Sequence, residues 1–392
     1  MEQHKFPLSF FLLYVLFYSG QAMYSVYFNL YLSGIGFSNT MIGLLTALST
    51  LMLLIVQPFW GIISDRVKSK NTVLKILFLL TALLALMYYG SADYLYVVII
   101  SLVFTVFYTP LVPLQDNLAL EYLEDKRWDF GKIRMGGTVG YAVTVITAGI
   151  LLKNQYSHIF LVISLFMLLC FIQTFLIQPV PGFRTKTEKA RINAILKNKT
   201  LLCLIGFNLA YSLGVSFFYT FYPVYFESIG GDSSYIGMLI FTCTVAEIPF
   251  LLIIDRILKK FGIIKLLVAA AVVSALRWLF LYFLTNPVLI ILVNLLHGFS
   301  FSSFTYCIVT YINENVPKSL RATGQTFNTT ISAFFSKVVF SFLGGAASDI
   351  FGANKIMLVS SLITFTAAVV FGVLLKKLGD KGEETEVPEY AG

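Results

Sequence analysis

Six ionic side chains lie inside long apolar stretches of this sequence, where residues of that type are rare. They are Asp116, Arg134, Glu247, Arg277, His297 and Lys337. A charged side chain at the centre of a bilayer costs roughly 2.5–3.5 kcal/mol on insertion scales. A chain that keeps such groups at membrane depth is expected to use them on a polar solute or on a proton.

The stretches that hold these side chains have the length of membrane spans, since a bilayer core needs about 20 apolar residues per helix. Such stretches occur at 7–32, 40–63, 73–92, 94–120, 134–152, 157–178, 200–226, 234–254, 263–284, 287–312, 322–347 and 354–375. The chain of 392 residues is 58% hydrophobic and 12% charged, whereas a soluble domain has about 25% charged residues. We therefore expect an all-α integral membrane protein with twelve transmembrane helices.

The basic residues are divided unevenly between the two sides of these spans. An even number of spans places both termini on one side, and the opposite side carries only Lys153 and Lys355. Loops rich in lysine and arginine stay in the cytoplasm. We expect a multi-pass protein of the cell membrane with both termini cytoplasmic. Topology then explains the net charge of +8, so the lipid bilayer is expected as a partner and nucleic acid is not.

A polar, basic stretch near mid-chain divides the spans into two sets of six. We expect an N-terminal six-helix bundle at 1–180, a cytoplasmic linker at 181–199, a C-terminal bundle at 200–378 and a polar cytoplasmic tail at 379–392. The two halves share a weak repeat, GIISDRVKSK from Gly61 and LLIIDRILKKFG from Leu251. Two pseudo-symmetric bundles with a binding site at the midplane between them are typical of transporters.

Residue patterns of enzymes are missing from the sequence. The four cysteines, Cys170, Cys203, Cys243 and Cys307, lie in apolar stretches and show neither metal-ligand nor disulfide spacing. There is no phosphate-binding loop, nucleophile triad or metal-ligand cluster. We expect no enzyme activity, no catalytic or metal-binding residue and no cofactor, with a proton gradient as the energy source.

The loop after the second stretch carries the first family signal. Gly61-x-x-x-Asp65-Arg66 with Lys68 and Lys70 resembles the loop signature of the major facilitator superfamily, with Lys68 and Ser69 at two positions that depart from it. The wider stretch QPFWGIISD at 57–65 is similar to the lactose-permease-like group, which includes oligosaccharide:proton symporters and a phenylpropionate-transporter-like branch. The stretch FGKIRM at 130–135, followed by a Gly-rich segment to Tyr141, extends the likeness.

The resemblance implies roles for individual residues. Asp116 matches an acid that binds sugar, Arg134 matches the arginine that pairs with it, and Tyr141 matches an aromatic residue that stacks on the sugar ring. Arg277 and His297, 20 residues apart, match members of a network for proton coupling and binding.

The sequence also departs from that pattern. Ser300 stands where the family carries a proton-transferring carboxylate. Glu247 lies about two turns from the family's eighth-helix glutamate, and Lys337 has no acid on the seventh stretch to pair with. The proton-coupling set is accordingly Glu247, Arg277, His297 and Lys337.

The residues themselves suggest chemistry that agrees with these roles. Asp116 and Arg134 are 18 residues apart across a short loop, so they could meet as a charge-assisted pair that binds solute, or as a structural ion pair. Tyr141 is seven residues beyond Arg134 and shares its helix face. An aromatic ring can pack on a sugar or an aromatic acid.

Glu247 precedes Pro249 in the middle of a span, where a carboxyl group can hold and release a proton and a proline can bend a moving helix. The alternative is a permanent ion pair with Arg277 or Lys337. Lys337 itself could be a counter-ion to Glu247 or a contact for an anionic solute.

Weaker candidates complete the site. Gln21, Tyr24 and Asn117 are expected to line the solute cavity. The two loop signatures are expected to act in gating at the cytoplasmic helix ends, through Gly61, Asp65, Arg66, Asp255 and Arg256.

The sequence predicts a secondary active transporter of the major facilitator fold, a monomer that carries a sugar-like small solute together with a proton by alternating access. Uptake of an aromatic acid or nucleoside, and proton-coupled drug efflux, remain alternatives with the same fold. A membrane receptor would need a soluble signalling domain, for which the loops are too short, and a membrane enzyme would need reactive groups that are missing.

Overall fold

The computed structural model describes residues 6–124, 128–179, 198–315 and 321–383, and contains no strand within them. Twelve helices in these ranges are long and apolar enough to cross a membrane, which confirms the fold class predicted from hydropathy. We number them spans 1 to 12: Leu8–Gly34, Asn39–Arg66, Lys70–Met87, Tyr94–Leu123, Phe130–Leu152, Tyr156–Gln173, Lys199–Ser228, Ser233–Phe261, Ile263–Phe283, Pro287–Glu314, Gly324–Phe351 and Ala353–Leu378.

Three of the described spans are interrupted along their length. Span 4 consists of the helices Tyr94–Tyr108 and Leu111–Leu123, because Pro110 at the junction lacks the N–H that would continue the ladder. Span 10 consists of Pro287–Val293 and Leu296–Asn315. Span 11 contains a π-helical segment, Thr330–Phe335, between Arg321–Thr329 and Ser336–Phe351. Each interruption lies within one turn or two of a predicted site residue.

The packing of the Cα atoms divides the chain into two compact units. Unit 1 comprises residues 1–187 together with 223–241, and unit 2 comprises residues 188–222 together with 242–392. The segment from Pro223 to Phe241, which comprises the end of span 7 and the start of span 8, therefore belongs to unit 1. Most of the predicted linker at 181–199 and of the predicted tail at 379–392 lies outside the described residues, and the predicted bundles at 1–180 and 200–378 stay predictions.

Small residues bring spans 1 and 5 of unit 1 into close contact. A Cβ atom on Gly136 would lie 2.7 Å from the carbonyl oxygen of Phe11, and one on Gly140 would clash with the carbonyl of Val15. The Ser19 hydroxyl donates to the Gly140 carbonyl at 3.3 Å, and the Tyr27 hydroxyl donates to the Val145 carbonyl at 2.8 Å. Close backbone approach through small residues is the usual way membrane helices associate, and here it fixes the face of span 5 that carries Arg134.

A comparable approach in unit 2 joins spans 8 and 10. A Cβ atom on Gly298 would collide with the backbone of Ala246, so only glycine allows this separation of the two helices. Ala246 precedes Glu247 and Gly298 follows His297. The contact therefore holds Glu247 and His297 on adjacent helices at the same depth.

Candidate functional site

A polar cluster in unit 1 surrounds Asp116, and its members come from three spans. The Tyr14 hydroxyl of span 1 donates a hydrogen bond to Asp116 Oδ1 at 2.7 Å. The Arg134 guanidinium of span 5 lies 4.9 Å from the centre of the Tyr18 ring, and the rings of Tyr14 and Tyr18 are stacked 6.2 Å apart. We call Tyr14, Tyr18, Asp116 and Arg134 the tyrosine-linked cluster.

The direct contact expected between Asp116 and Arg134 is not formed. Within the part of the chain that the structure describes, the two side chains make no ion pair with each other. Span 1 packs closely on span 5, and its two tyrosines connect the carboxylate to the guanidinium. Both charged groups are only partly buried. Each keeps hydrogen-bonding capacity that a direct ion pair would have used.

Span 1 contributes one polar face to this region. Tyr14, Tyr18, Gln21 and Ser25 follow one another at spacings of four, three and four residues, so they share a helix face. The Ser25 hydroxyl is 3.1 Å from the Tyr141 hydroxyl, which places Tyr141 beside this face. The Gln21 side-chain oxygen has no hydrogen-bond partner among the described residues.

Tyr24, a predicted cavity residue, is placed differently. Its ring stacks on Phe28 at 4.7 Å and lies 5.0 Å from the Tyr108 ring, within an aromatic group on spans 1 and 4. The roles predicted for Gln21, Tyr24 and Tyr141 in solute binding stay predictions.

The sequence reasoning missed Tyr14 and Tyr18, although a signal for them was present. Their spacing to Gln21 and Ser25 is helical, and each falls one or two turns from the next polar residue. In a chain with 22 tyrosines this spacing alone does not single them out. Their importance follows from the rotation of span 1 that the close contact with span 5 imposes.

A second charged group in unit 1 is built around Lys70, at the start of span 3. Lys70 is only 3% exposed and its ammonium contacts Glu121, Asn117 at 2.9 Å and Asp65 at 3.4 Å. Asn117 therefore binds Lys70, whereas its neighbour Asp116 binds Tyr14. Glu121 and Lys70 were not predicted as a pair.

The remaining loop-signature residues lie at the ends of spans 2 and 8. Arg66 and Arg256 are exposed, and Asp255 accepts a hydrogen bond from the Tyr306 hydroxyl at 2.5 Å. A Cβ atom on Gly61 would meet nothing within 4 Å. Their predicted part in gating stays a prediction.

Unit 2 contains a continuous network around Arg277, whose side chain is fully enclosed. Its Nη1 atom lies 2.5 Å from His297 Nδ1 and 3.4 Å from Asn294 Oδ1. The guanidinium also stacks on the Trp278 ring at 4.0 Å. Arg277, Asn294 and His297 are each at most 1% exposed. Asn294 occupies the interruption of span 10 and was missed, because an asparagine in an apolar stretch gives no distinctive sequence pattern.

The network continues from His297 to Glu247. His297 Nε2 lies 3.3 Å from Glu247 Oε1 and 3.1 Å from the Tyr219 hydroxyl. An arginine N–H can only donate, so Nδ1 of His297 must accept and the ring proton must lie on Nε2. That proton points to Glu247 and Tyr219. We call Arg277, Asn294, His297 and Glu247 the arginine–histidine–glutamate network.

Glu247 is the accessible end of this otherwise buried network, with its side chain 27% exposed while that of His297 is 0% exposed. Ser300, at the position where relatives were expected to carry a carboxylate, is buried and donates a hydrogen bond to the His297 carbonyl at 3.4 Å. Glu247 is thus the carboxylate next to His297 in this chain. The predicted use of Glu247, Arg277 and His297 in proton coupling stays a prediction.

Lys337 of span 11 stands apart from this network. It is accessible and forms no hydrogen bond or ion pair with any residue that the structure describes, Glu247 included. Among the described residues no group of three or more His, Cys, Asp or Glu residues could hold a metal ion, and the four cysteines are free.

Twelve apolar spans among the described residues, with ionic side chains enclosed between them, define a multi-pass membrane protein. The MFS_1 like family matches residues 8–359, so the chain belongs to this family of the major facilitator superfamily. The protein is therefore a transporter of small solutes across a membrane and not an enzyme.

The relatives carry several kinds of solute. Maltose permease from Geobacillus stearothermophilus is 24% identical, with 97% of this chain and 96% of that protein covered. The probable 3-phenylpropionic acid transporter of Escherichia coli is 26% identical, with 75% and 78% covered. The crystal structure of the nucleoside transporter NupG shares the fold, with a TM-score of 0.83, 17% identity and coverage of 94% and 98%.

Proposed function

We propose that this transporter is a proton symporter of a sugar-like solute in the cell membrane, with both termini cytoplasmic and a single chain as the working unit. The observation that carries the proposal is the arginine–histidine–glutamate network, because it joins one accessible carboxylate to an enclosed guanidinium through a histidine. The similarity to maltose permease over nearly its whole length supports the solute class.

Solute binding is assigned to the tyrosine-linked cluster. Asp116 and Arg134 keep free hydrogen-bonding positions because neither is bound to the other, and sugar hydroxyls can both accept from a guanidinium and donate to a carboxylate. Tyr141, held beside span 1 by Ser25 at 3.1 Å, offers an aromatic face for the apolar side of a sugar ring. Gln21 adds an unpartnered amide oxygen on the same face of span 1.

Proton coupling is assigned to Glu247. When Glu247 is ionised, its charge balances Arg277 through the hydrogen bonds of His297. A proton on Glu247 leaves the network with one uncompensated positive charge. The protonated transporter then favours the conformational state in which this network is better solvated. The proton shifts the equilibrium between the two states by the difference in its affinity for them.

The proposal is tested with purified protein in proteoliposomes under an imposed proton gradient. Maltose, lactose, uridine and 3-phenylpropionate are offered in turn, and uptake is measured with and without a protonophore. We expect accumulation of a sugar against its gradient, accompanied by proton entry and abolished by the protonophore. Accumulation that is unchanged by the protonophore would rule out proton symport. Uptake of uridine alone would rule out a sugar-like solute.

A further inference from the structure

We infer that Lys337 binds a carboxylate group of the transported solute, so that the preferred sugar-like solute carries one carboxylate. This inference rests on the proposed transport function and specifies the substrate class further. Four observations within unit 2 carry it: the orientation of Lys337, its lack of a partner, the hydroxyl groups beside it and the charge balance around it.

Span 11 directs Lys337 away from lipid. Ser341, Gly344 and Ser348 follow Lys337 at four, seven and eleven residues, and all three are buried, so the helical repeat places Lys337 on the buried face. The opposite face carries Phe342, Leu343 and Ile350, which are 40%, 56% and 74% exposed. A lysine on the protein-facing side of a membrane helix faces the bundle interior or a water-filled cavity.

The contacts of span 11 show which helix this face meets. The hydroxyls of Ser336 and Ser216 of span 7 lie 3.0 Å apart, and the Asn208 amide donates to Asn328 at 3.0 Å. A Cβ atom on Gly344 would lie 3.0 Å from the ring of Phe217. Lys337 is therefore placed next to span 7, one residue beyond the contact between Ser336 and Ser216.

Span 7 offers a polar, accessible surface at this point. Asn208, Ser212, Ser216 and Tyr219 follow one another at helical spacing, and each is at least partly accessible. Tyr219 is also the residue that contacts His297 at 3.1 Å. One face of span 7 thus connects the neighbourhood of Lys337 with the arginine–histidine–glutamate network, and a solute on this face would be near both.

A buried hydroxyl without a hydrogen-bond partner lies one turn from Lys337. The hydroxyl of Ser341 is fully enclosed and has no hydrogen-bond partner among the described residues. Buried hydroxyls are normally hydrogen-bonded, and this one shares the helix face of Lys337. The face of span 11 that carries Lys337 therefore has an unused hydrogen-bond donor.

Among the described ionic side chains inside the spans of unit 2, one cation is left without a counter-charge. Glu247 balances Arg277 through His297, so Lys337 remains as an uncompensated cation inside the membrane span. An unpaired charge at that depth is costly. One carboxylate on the solute removes this cost, whereas a neutral sugar does not. The π-helical segment Thr330–Phe335 ends two residues before Lys337, and π-helical turns are frequent at functional sites.

The test compares acids with matched neutral molecules in a chloride-free buffer. Binding of glucuronate against glucose, and of 3-phenylpropionate against 3-phenylpropanol, is measured by calorimetry on wild type, K337Q, K337R and K355Q, and transport is measured separately in proteoliposomes. K355Q makes the same chemical change at an exposed position near the start of span 12. We expect wild type and K355Q to prefer one acid roughly 10- to 100-fold, K337Q to lose that preference, and K337R to keep most of it.

The outcomes separate this inference from the proposed symport. No preference for the acid in either pair, or an equal preference in K337Q, overturns the role of Lys337. Proton-driven accumulation of a neutral sugar, with neither acid bound nor transported, overturns the role of Lys337 as well. The symport proposal is unaffected by that result. Acid binding that depends on Lys337 in a protein that shows no proton-driven uptake supports the inference and overturns the symport proposal.

Discussion

The two units treat their membrane-embedded charges in opposite ways. In unit 1, Asp116 and Arg134 are connected through the tyrosines of span 1 and make no ion pair with each other, and both remain partly accessible. In unit 2, Arg277 and His297 are fully enclosed and hydrogen-bonded to one another, and Glu247 is the accessible member of their network. Groups with free hydrogen-bonding positions suit a solute that comes and goes. Groups already bound to one another suit a proton, which needs a single acceptor.

The largest expected effect is on stability. Arg277→Ala removes the partner of His297 and Asn294 and a cation packed on Trp278 at 4.0 Å. Breaking one partner out of a buried charged network costs about 3–5 kcal/mol. Thermal unfolding in detergent should therefore show a large decrease in the unfolding temperature of Arg277→Ala.

The matched change in unit 1 is Arg134→Ala, which breaks no ion pair. It should lower the unfolding temperature far less. Changes outside such networks usually alter the free energy of unfolding by no more than about 0.5 kcal/mol. Loss of the cation–π contact with Tyr18 adds about 0.5–1 kcal/mol. Equal losses for the two variants would remove the distinction between the units.

The next effect concerns solute affinity. Asp116→Asn removes the negative charge of the carboxylate that accepts a hydrogen bond from Tyr14 and, as proposed, from the solute. The solute Kd should therefore rise roughly 10- to 100-fold. Equilibrium binding to purified protein measures this change. Asn117→Ala is the control, because Asn117 binds Lys70 at 2.9 Å and not the tyrosine-linked cluster. A larger loss of solute affinity in Asn117→Ala than in Asp116→Asn would show that the tyrosine-linked cluster is not the solute site.

A third change separates the helices of unit 2 without touching a charge. Gly298→Val forces span 10 away from Ala246 of span 8, because the added side chain collides with the Ala246 backbone. Overpacking of this kind costs about 1–3 kcal/mol of stability. The distance between His297 and Glu247 should increase, and the ratio of protons to solute carried should fall several-fold. Gly34→Val, where a Cβ meets nothing within 4 Å, is the control. Unchanged coupling in the Gly298 variant would show that the contact is dispensable.

The smallest effect is expected at Tyr141. Tyr141→Phe keeps the ring and loses the hydroxyl that lies 3.1 Å from Ser25, a change of about 0.5–1.5 kcal/mol. The solute Kd should rise about threefold to tenfold, whereas Tyr141→Ala should weaken binding further by removing the stacking surface. Equal affinity for all three proteins would exclude Tyr141 from the solute site.

The spans were predictable from sequence because hydropathy depends only on composition over a window, and all twelve are confirmed. The rotation of each helix was not predictable. The sequence placed Asp116 and Arg134 within reach of each other, but the glycines of span 5 set its face against span 1, and Tyr14 and Tyr18 then occupy the contacts. Lys70 was read as part of a basic loop, although it begins span 3 and is enclosed by acids of spans 2 and 4.

The most direct test of this division between the units measures two activities on two variants in the same proteoliposomes. Solute counterflow reports binding and alternation, and solute-driven proton entry, together with the uphill accumulation that it powers, reports coupling. We predict that Glu247→Gln keeps counterflow near the wild-type rate and loses proton entry and uphill accumulation, whereas Asp116→Asn loses both activities together. Undiminished uphill accumulation by Glu247→Gln, or intact counterflow with lost proton entry in Asp116→Asn, would contradict the account.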